Sequence, residues 1–108
     1  MNRYVIAGLV TDAEQGNLVG ALPASRHEVA DALSAVAMEP TIKRVSRANG
    51  AERAEFLSGG RIVFFRSTDA IRGYTLDVLA IDEVMLHLPR VREDVAPCLS
   101  PNGELILL

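Results

Sequence analysis

The chain has 108 residues, enough for one domain that buries roughly 60–68% of the surface its unfolded form would expose and too few for a second catalytic domain. An apolar fraction of 49% beside a charged fraction of 23% excludes a disordered tail, and 5% aromatic residues leave the core to Val, Ile, Leu and Ala. The formal charge of −3 excludes a generally basic nucleic-acid binder, although ten of the eleven basic residues are arginines and Arg44, Arg47 and Arg53 are close enough in sequence for a local patch.

From the start of the chain, Tyr4-Val5-Ile6-Ala7-Gly8-Leu9-Val10 is apolar but far too short to cross a bilayer, and Asp12 and Glu14 follow at once. The run reads as a strand, not as a membrane segment or a secretion signal. A second apolar run, Asn17 to Leu22, lies beyond polar Thr11 to Gly16, so the two make a hairpin or two strands of one sheet. Pro23 closes it. Ser25 and Glu28 have capping-box spacing, and Val29, Leu33, Val36 and Ala37 share one face of the helix this predicts before Pro40.

Ile42 to Ser46 is a candidate strand, and Asn49-Gly50 marks a turn. Ala51 to Leu57 fits either a helical turn or a strand leading into Ser58-Gly59-Gly60. A hairpin is favoured because Arg61-Ile62-Val63-Phe64-Phe65-Arg66 is a strong β run directly behind the glycines. Phe64 and Phe65 point to opposite faces, so one is expected in the core and the other under a helix or a partner. Ser67 to Thr75, with Gly73 inside, reads as a loop or short turn.

Asp77 to Ile81 is the next strand. Pro89 then starts a helix through Val91, Val95 and Leu99, Pro101-Asn102-Gly103 makes a turn, and Glu104 to Leu108 is a final strand. The elements add up to an α/β fold over residues 1–108, a mostly parallel or mixed sheet with helices between the strands.

The residues that suggest chemistry are Asp82 and Glu83. An apolar strand ending in adjacent carboxylates is how a P-loop nucleoside triphosphatase presents the acid that holds Mg²⁺ beside the acid that positions water. Such an enzyme also needs a glycine-rich loop ending in Gly-Lys-Ser/Thr, because backbone N–H groups and one ammonium must surround the polyphosphate. The single lysine here, Lys43, stands between Ile42 and Arg44 with no glycine near. The sequence therefore holds one half of a nucleotide site.

Other titratable residues suggest less. His27 and His87 read as partly exposed structural residues, no Cys/His spacing suits zinc, and Cys98 reads as a buried, inert thiol. Arg72 has Asp69 and Asp77 within reach as surface partners, and a phosphate contact by the Arg44 group is the alternative to simple solvation.

Several of these segments together resemble a known family. Ala70-Ile71-Arg72-Gly73, a short spacer, and Asp77-Val78-Leu79-Ala80-Ile81-Asp82-Glu83 resemble the middle of the ATPase domain of the large terminase subunit of tailed bacteriophages, the motor that packages DNA into the capsid. Gly59-Gly60-Arg61-Ile62-Val63-Phe64 resembles the glycine turn and strand that precede the arginine-glycine pair in that family. Pro97 to Leu108 resembles the turn and strand ahead of its coupling motif, and Leu18 to Ala37, more loosely, the strand and helix after its phosphate loop.

The resemblance implies a partial P-loop-ATPase-like domain, with Asp82 as the magnesium-organising, cofactor-binding acid, Glu83 as the acid that activates water, and Arg72 in the loop before the strand as a further catalytic residue. The phosphate loop, the coupling motif and the nuclease domain have no counterpart in the sequence. It follows that the isolated chain is expected to be catalytically incompetent and to take no cofactor alone, with Mg-ATP bound only if another chain supplies a phosphate loop. The expected role is a terminase-like ATPase fragment connected with phage DNA packaging, in the cytoplasm of the bacterial host. The alternative is a non-catalytic protein-interaction module derived from an ATPase fold. Apolar terminal strands, Tyr4 to Val10 and Glu104 to Leu108, predict a homo-oligomer or a protein partner, with double-stranded DNA a further candidate and no membrane.

Overall fold

The computed structural model describes residues 1–48, 50 and 52–108. The turn expected at Asn49-Gly50, and the expectations for Ala51, fall at least in part outside the described residues. In chain order the elements are α1 (Arg3–Glu14), β1 (Leu18–Leu22), α2 (Arg26–Val36), β2 (Ile42–Ser46), β3 (Arg53–Phe56), β4 (Arg61–Phe64), a 3-10 turn (Thr68–Ile71), β5 (Leu76–Ile81), α3 (Glu83–Leu86), α4 (Val91–Val95), a second 3-10 turn (Ala96–Cys98) and β6 (Leu99–Leu107).

The expected strand at Tyr4 to Val10 is a helix. Val5, Ile6, Leu9, Val10 and Ala13 recur at helical spacing and turn toward the core, while Tyr4, Ala7 and Gly8 face solvent. Asn2 caps the start, its side chain accepting from the Tyr4 amide at 2.7 Å, and Gly16 at φ +90° ends the helix in the left-handed region. A run of β-branched residues hid this period. The following expectations hold: β1, the Ser25-capped α2, β2, the β3–β4 hairpin and β5 lie where the sequence put them.

The helix expected from Pro89 to Leu99 is cut short. Pro97 cannot supply the N–H that would continue α4, so one turn of 3-10 helix follows and Leu99 already begins β6. The expected Pro101-Asn102-Gly103 turn lies within β6, where the register against β5 shifts between Leu99 and Glu104. The short helix α3 was not anticipated.

The strands form one six-stranded mixed sheet in the order β2-β3-β4-β1-β5-β6. β4, β1, β5 and β6 are mutually parallel neighbours, whereas β3 is antiparallel to both β2 and β4. The four parallel strands therefore end on one edge. Helices α1 and α2 cover one face, burying Leu9, Val10, Ala13, Val29, Leu33 and Val36 against Val19, Phe56, Ile62 and Phe64. The 3-10 turn, α3 and α4 cover the other, with Ile71, Leu86, Val91 and Val95 over Val63, Phe65, Leu79 and Ile81. Phe64 and Phe65 are thus both core residues, one on each face, each contributing about 1.5–3 kcal/mol by burial.

Two close approaches fix the layers. Ser58 Oγ donates to the Ala13 carbonyl at 2.7 Å and accepts from the Gly60 amide at 3.1 Å, clamping the end of α1 to the hairpin turn. A Cβ on Gly60 would run into that same Ala13 carbonyl, so only glycine lets helix and turn meet. The start of α1 lies at the other end of the strands, where the Met1 amino group is 3.8 Å from Glu28 Oε1 in the first turn of α2. Helix α1 hence runs antiparallel to the parallel strands.

Candidate functional site

The edge where the parallel strands end gathers the segments after β1, β4 and β5, the position at which α/β sheets present ligand-binding groups. β5 is held between two neighbours to its last residue. The Asp82 amide donates to the Leu22 carbonyl at 3.0 Å, and the Leu108 amide donates to the Ile81 carbonyl at 2.9 Å. Asp82 leaves the sheet in an extended conformation and caps α3, its Oδ1 accepting from the Val84 amide at 2.9 Å. One carboxylate oxygen is therefore committed to the turn. Glu83 follows in the first turn of α3, 65% exposed, with Oε1 at 3.8 Å from His87 Nε2.

The donor set suits Mg²⁺ in a limited sense. Among the described residues no group of three or more His, Cys, Asp or Glu converges on a metal site. Mg²⁺ in nucleotide enzymes takes one or two carboxylates and completes its octahedron with water and substrate phosphates. Asp82 and Glu83 could serve such an ion, with the remaining positions filled by a polyphosphate held from elsewhere.

Arg72 is not part of this cluster. It is exposed, pairs with Asp69 at 3.8 Å, and precedes β5, so the length of that strand, about 20 Å at roughly 3.3 Å per residue, separates it from the carboxylates. Asp77, its other expected partner, instead accepts from the Leu18 amide at 2.8 Å and joins β5 to β1. His27 is 87% exposed beside Asp31, and Cys98 is buried with its thiol toward the Asp94 carbonyl.

The three clustered arginines take different partners. Arg44 Nε meets Glu55 Oε2 at 2.6 Å across the β2–β3 pair, and that hydrogen bond holds the Glu55 carboxyl below its usual range while raising the guanidinium. Arg47 donates to Ser34 Oγ at 3.3 Å on α2. Arg53 lines a cavity of about 330 Å³ beside Arg66, Phe65 and Tyr74.

Sequence reasoning missed one buried pair on the same edge. Glu52, 8% exposed, takes Arg66 Nη2 on Oε1 at 2.9 Å and the Gly50 amide at 3.2 Å, while its Oε2 is buried without a hydrogen bond among the described residues. Burial alone would push this carboxyl up, but the Arg66 and backbone hydrogen bonds outweigh it and hold it below the usual range. The hairpin register carried the signal, since the Phe64 amide at the end of β4 donates to the Glu52 carbonyl just before β3, and Arg66 follows two residues on.

No family model matches this sequence, and no curated protein is significantly similar to it. Solved structures do match. A large terminase from a thermophilic bacteriophage, in crystal form 2, superimposes with a TM-score of 0.60 at 21% identity, covering 96% of this chain and 28% of that one. The same terminase in complex with ADP, in crystal form 3, gives 0.59 at 19% identity over 97% of this chain and 28% of that one. A further structure in crystal form 3 gives 0.57 at 19% identity, covering 96% and 27%. The chain spans little more than a quarter of the length of those terminases. At these identities the likeness establishes the fold, a central sheet with flanking helices. Among the described residues no helix is long and apolar enough to cross a membrane.

Proposed function

We propose that this chain is a terminase-like, ATPase-derived module of phage DNA packaging, acting in the bacterial host cytoplasm, and that it contributes the carboxylate half of a Mg-nucleotide site. The observation that carries the reading is the placement of Asp82 and Glu83 at the end of a central parallel strand, in a fold shared with a large terminase that has been solved with ADP. Asp82 would hold the ion, and exposed Glu83 would orient water. The ion's chemistry there is to neutralise charge on the phosphates. The phosphate-binding amides and lysine that these 108 residues lack would be supplied from outside them, in this reading by another chain. Arg72, at the far end of β5, has no role in this site unless that partner brings it a substrate.

A second reading, a non-catalytic interaction module on the same scaffold, is favoured by the exposed apolar side chains at the end of β6, Leu105 and Leu107. Reconstitution separates the two. The chain encoded beside this one is expected to carry the Gly-Lys-Ser/Thr loop, and its mixture with this protein to hydrolyse ATP. Glu83→Gln should slow that reaction about 10²–10⁴-fold. Hydrolysis that Glu83→Gln leaves unchanged, or none from the mixture, removes the enzymatic reading and leaves the module.

A further inference from the structure

Three arginines and one buried carboxylate meet in a cavity of about 230 Å³ between α2, the segments that follow β2 and precede β3, and the end of β4. Arg26, Arg47, Arg66 and Glu52 line it, and Val29 and Leu33 give it an apolar wall. Arg47 is tied to α2 through Ser34 Oγ, and Arg66 is tied to Glu52 Oε1. Glu52 Oε2 is different, because it is buried and has no hydrogen bond among the described residues. A buried carboxylate oxygen can only accept, so whatever completes this cavity must carry a donor. Three guanidinium groups disfavour a cationic donor such as an amine, and Oε2 disfavours an anion that has no proton to give. The chemistry left is an oxyanion that keeps an O–H.

We propose that this cavity binds inorganic phosphate in its protonated form, with the arginines on its charged oxygens and Glu52 Oε2 accepting its P–OH proton. Inorganic phosphate keeps at least one proton at neutral pH, whereas sulfate and a phosphodiester keep none, so the same carboxylate that holds the first repels the other two. The wall of Val29 and Leu33 lowers the local polarity and strengthens each charge interaction. A smaller cavity of about 80 Å³ shares Arg26, Val29 and Arg66 with the first and reaches Pro23 and Ser25 in the loop after β1. That loop adjoins Asp82, whose amide donates to the Leu22 carbonyl. β4 and β5 are separated only by β1, so their ends lie about 10 Å apart along the edge. Phosphate released by the proposed hydrolysis has this site within reach on the same edge. That source rests on the nucleotide reading of Asp82 and Glu83, but the site does not.

Calorimetric titration of the chain with sodium phosphate and with sodium sulfate, at pH 7 and matched ionic strength, tests the site. Phosphate should bind at least about tenfold more tightly than sulfate, because only phosphate offers Oε2 a proton. Glu52→Gln, whose amide can donate as well as accept, should bring the two anions to nearly equal affinity. Arg47→Gln changes an exposed side chain, so it should keep the thermal melt of the wild type while weakening phosphate binding at least about fivefold. Equal affinities of the wild type for the two anions, no binding of phosphate, or phosphate binding that Arg47→Gln leaves unchanged would each overturn the site. Its link to hydrolysis is read separately, as inhibition by phosphate of ATP hydrolysis in the reconstituted mixture. Phosphate binding without such inhibition supports the site and overturns the link, and a mixture that hydrolyses nothing overturns the nucleotide reading while the binding result stands.

Discussion

Arg66 Nη2 donates to Glu52 Oε1 at 2.9 Å, joining the end of β4 to the segment that enters β3 on the edge where the parallel strands end. The pair gives the fold a defined response to acid. A carboxyl held below its unfolded value adds stability in full above that value, about 4.3 for Glu, and loses it as the pH falls through the lower folded value. Glu52→Gln should therefore lower stability at pH 7 by about 1–2 kcal/mol and flatten the acid limb of the stability profile. Urea unfolding of both proteins between about pH 3 and pH 7 tests this. Parallel profiles would mean that Arg66 does not discriminate the charged form.

The contact between α1 and the hairpin makes Gly60 the least replaceable residue of the turn. Adding one methyl there drives it into the Ala13 carbonyl, backbone against backbone. Gly60→Ala should cost about 1–3 kcal/mol or prevent folding. Gly59→Ala is a useful comparison, because its Cβ would meet nothing within 4 Å and its strain comes only from φ +91°. Equal melting temperatures for the two variants would contradict the clamp.

Glu83 is expected to be dispensable for the fold. Its charged contact among the described residues, His87 at 3.8 Å, joins two exposed side chains, a class that contributes little. Glu83→Gln should change stability by less than about 0.5 kcal/mol. Asp82 differs. Asp82→Ala removes the cap of α3 and should cost about 1 kcal/mol, while Asp82→Asn keeps it. Thermal melts of the three variants read these differences directly.

Legibility from sequence depended on how local the deciding force was. α2 was readable because Ser25, Glu28 and the apolar face of Val29, Leu33 and Val36 all lie in one stretch, and the cap forms as spaced, with the Glu28 amide on Ser25 Oγ at 3.3 Å. The β3–β4 hairpin was readable from Ser58-Gly59-Gly60 for the same reason. α1 was misread because Val5 and Ile6 favour strands locally, while the packing of Leu9, Val10 and Ala13 under the sheet decides for helix. β6 began earlier than expected because its register is set by β5, not by its own turn residues. Of the candidate site, the placement of Asp82 and Glu83 at a strand end was legible, since an apolar run and its terminus are local. The separation of Arg72 from them was not, because proximity in sequence across a strand means opposite ends in space.

On the proposed reading, the two carboxylates at the end of β5 are part of a nucleotide site and not the whole of one. Without amides and a lysine around the phosphates, Asp82 and Glu83 repel an incoming polyphosphate that Mg²⁺ alone must bridge. Isothermal titration calorimetry of the isolated chain with ATP and Mg²⁺ measures this. The predicted dissociation constant is weaker than about 1 mM. A constant between about 1 μM and 1 mM, abolished by Asp82→Asn, would show a complete site within these 108 residues and contradict the account.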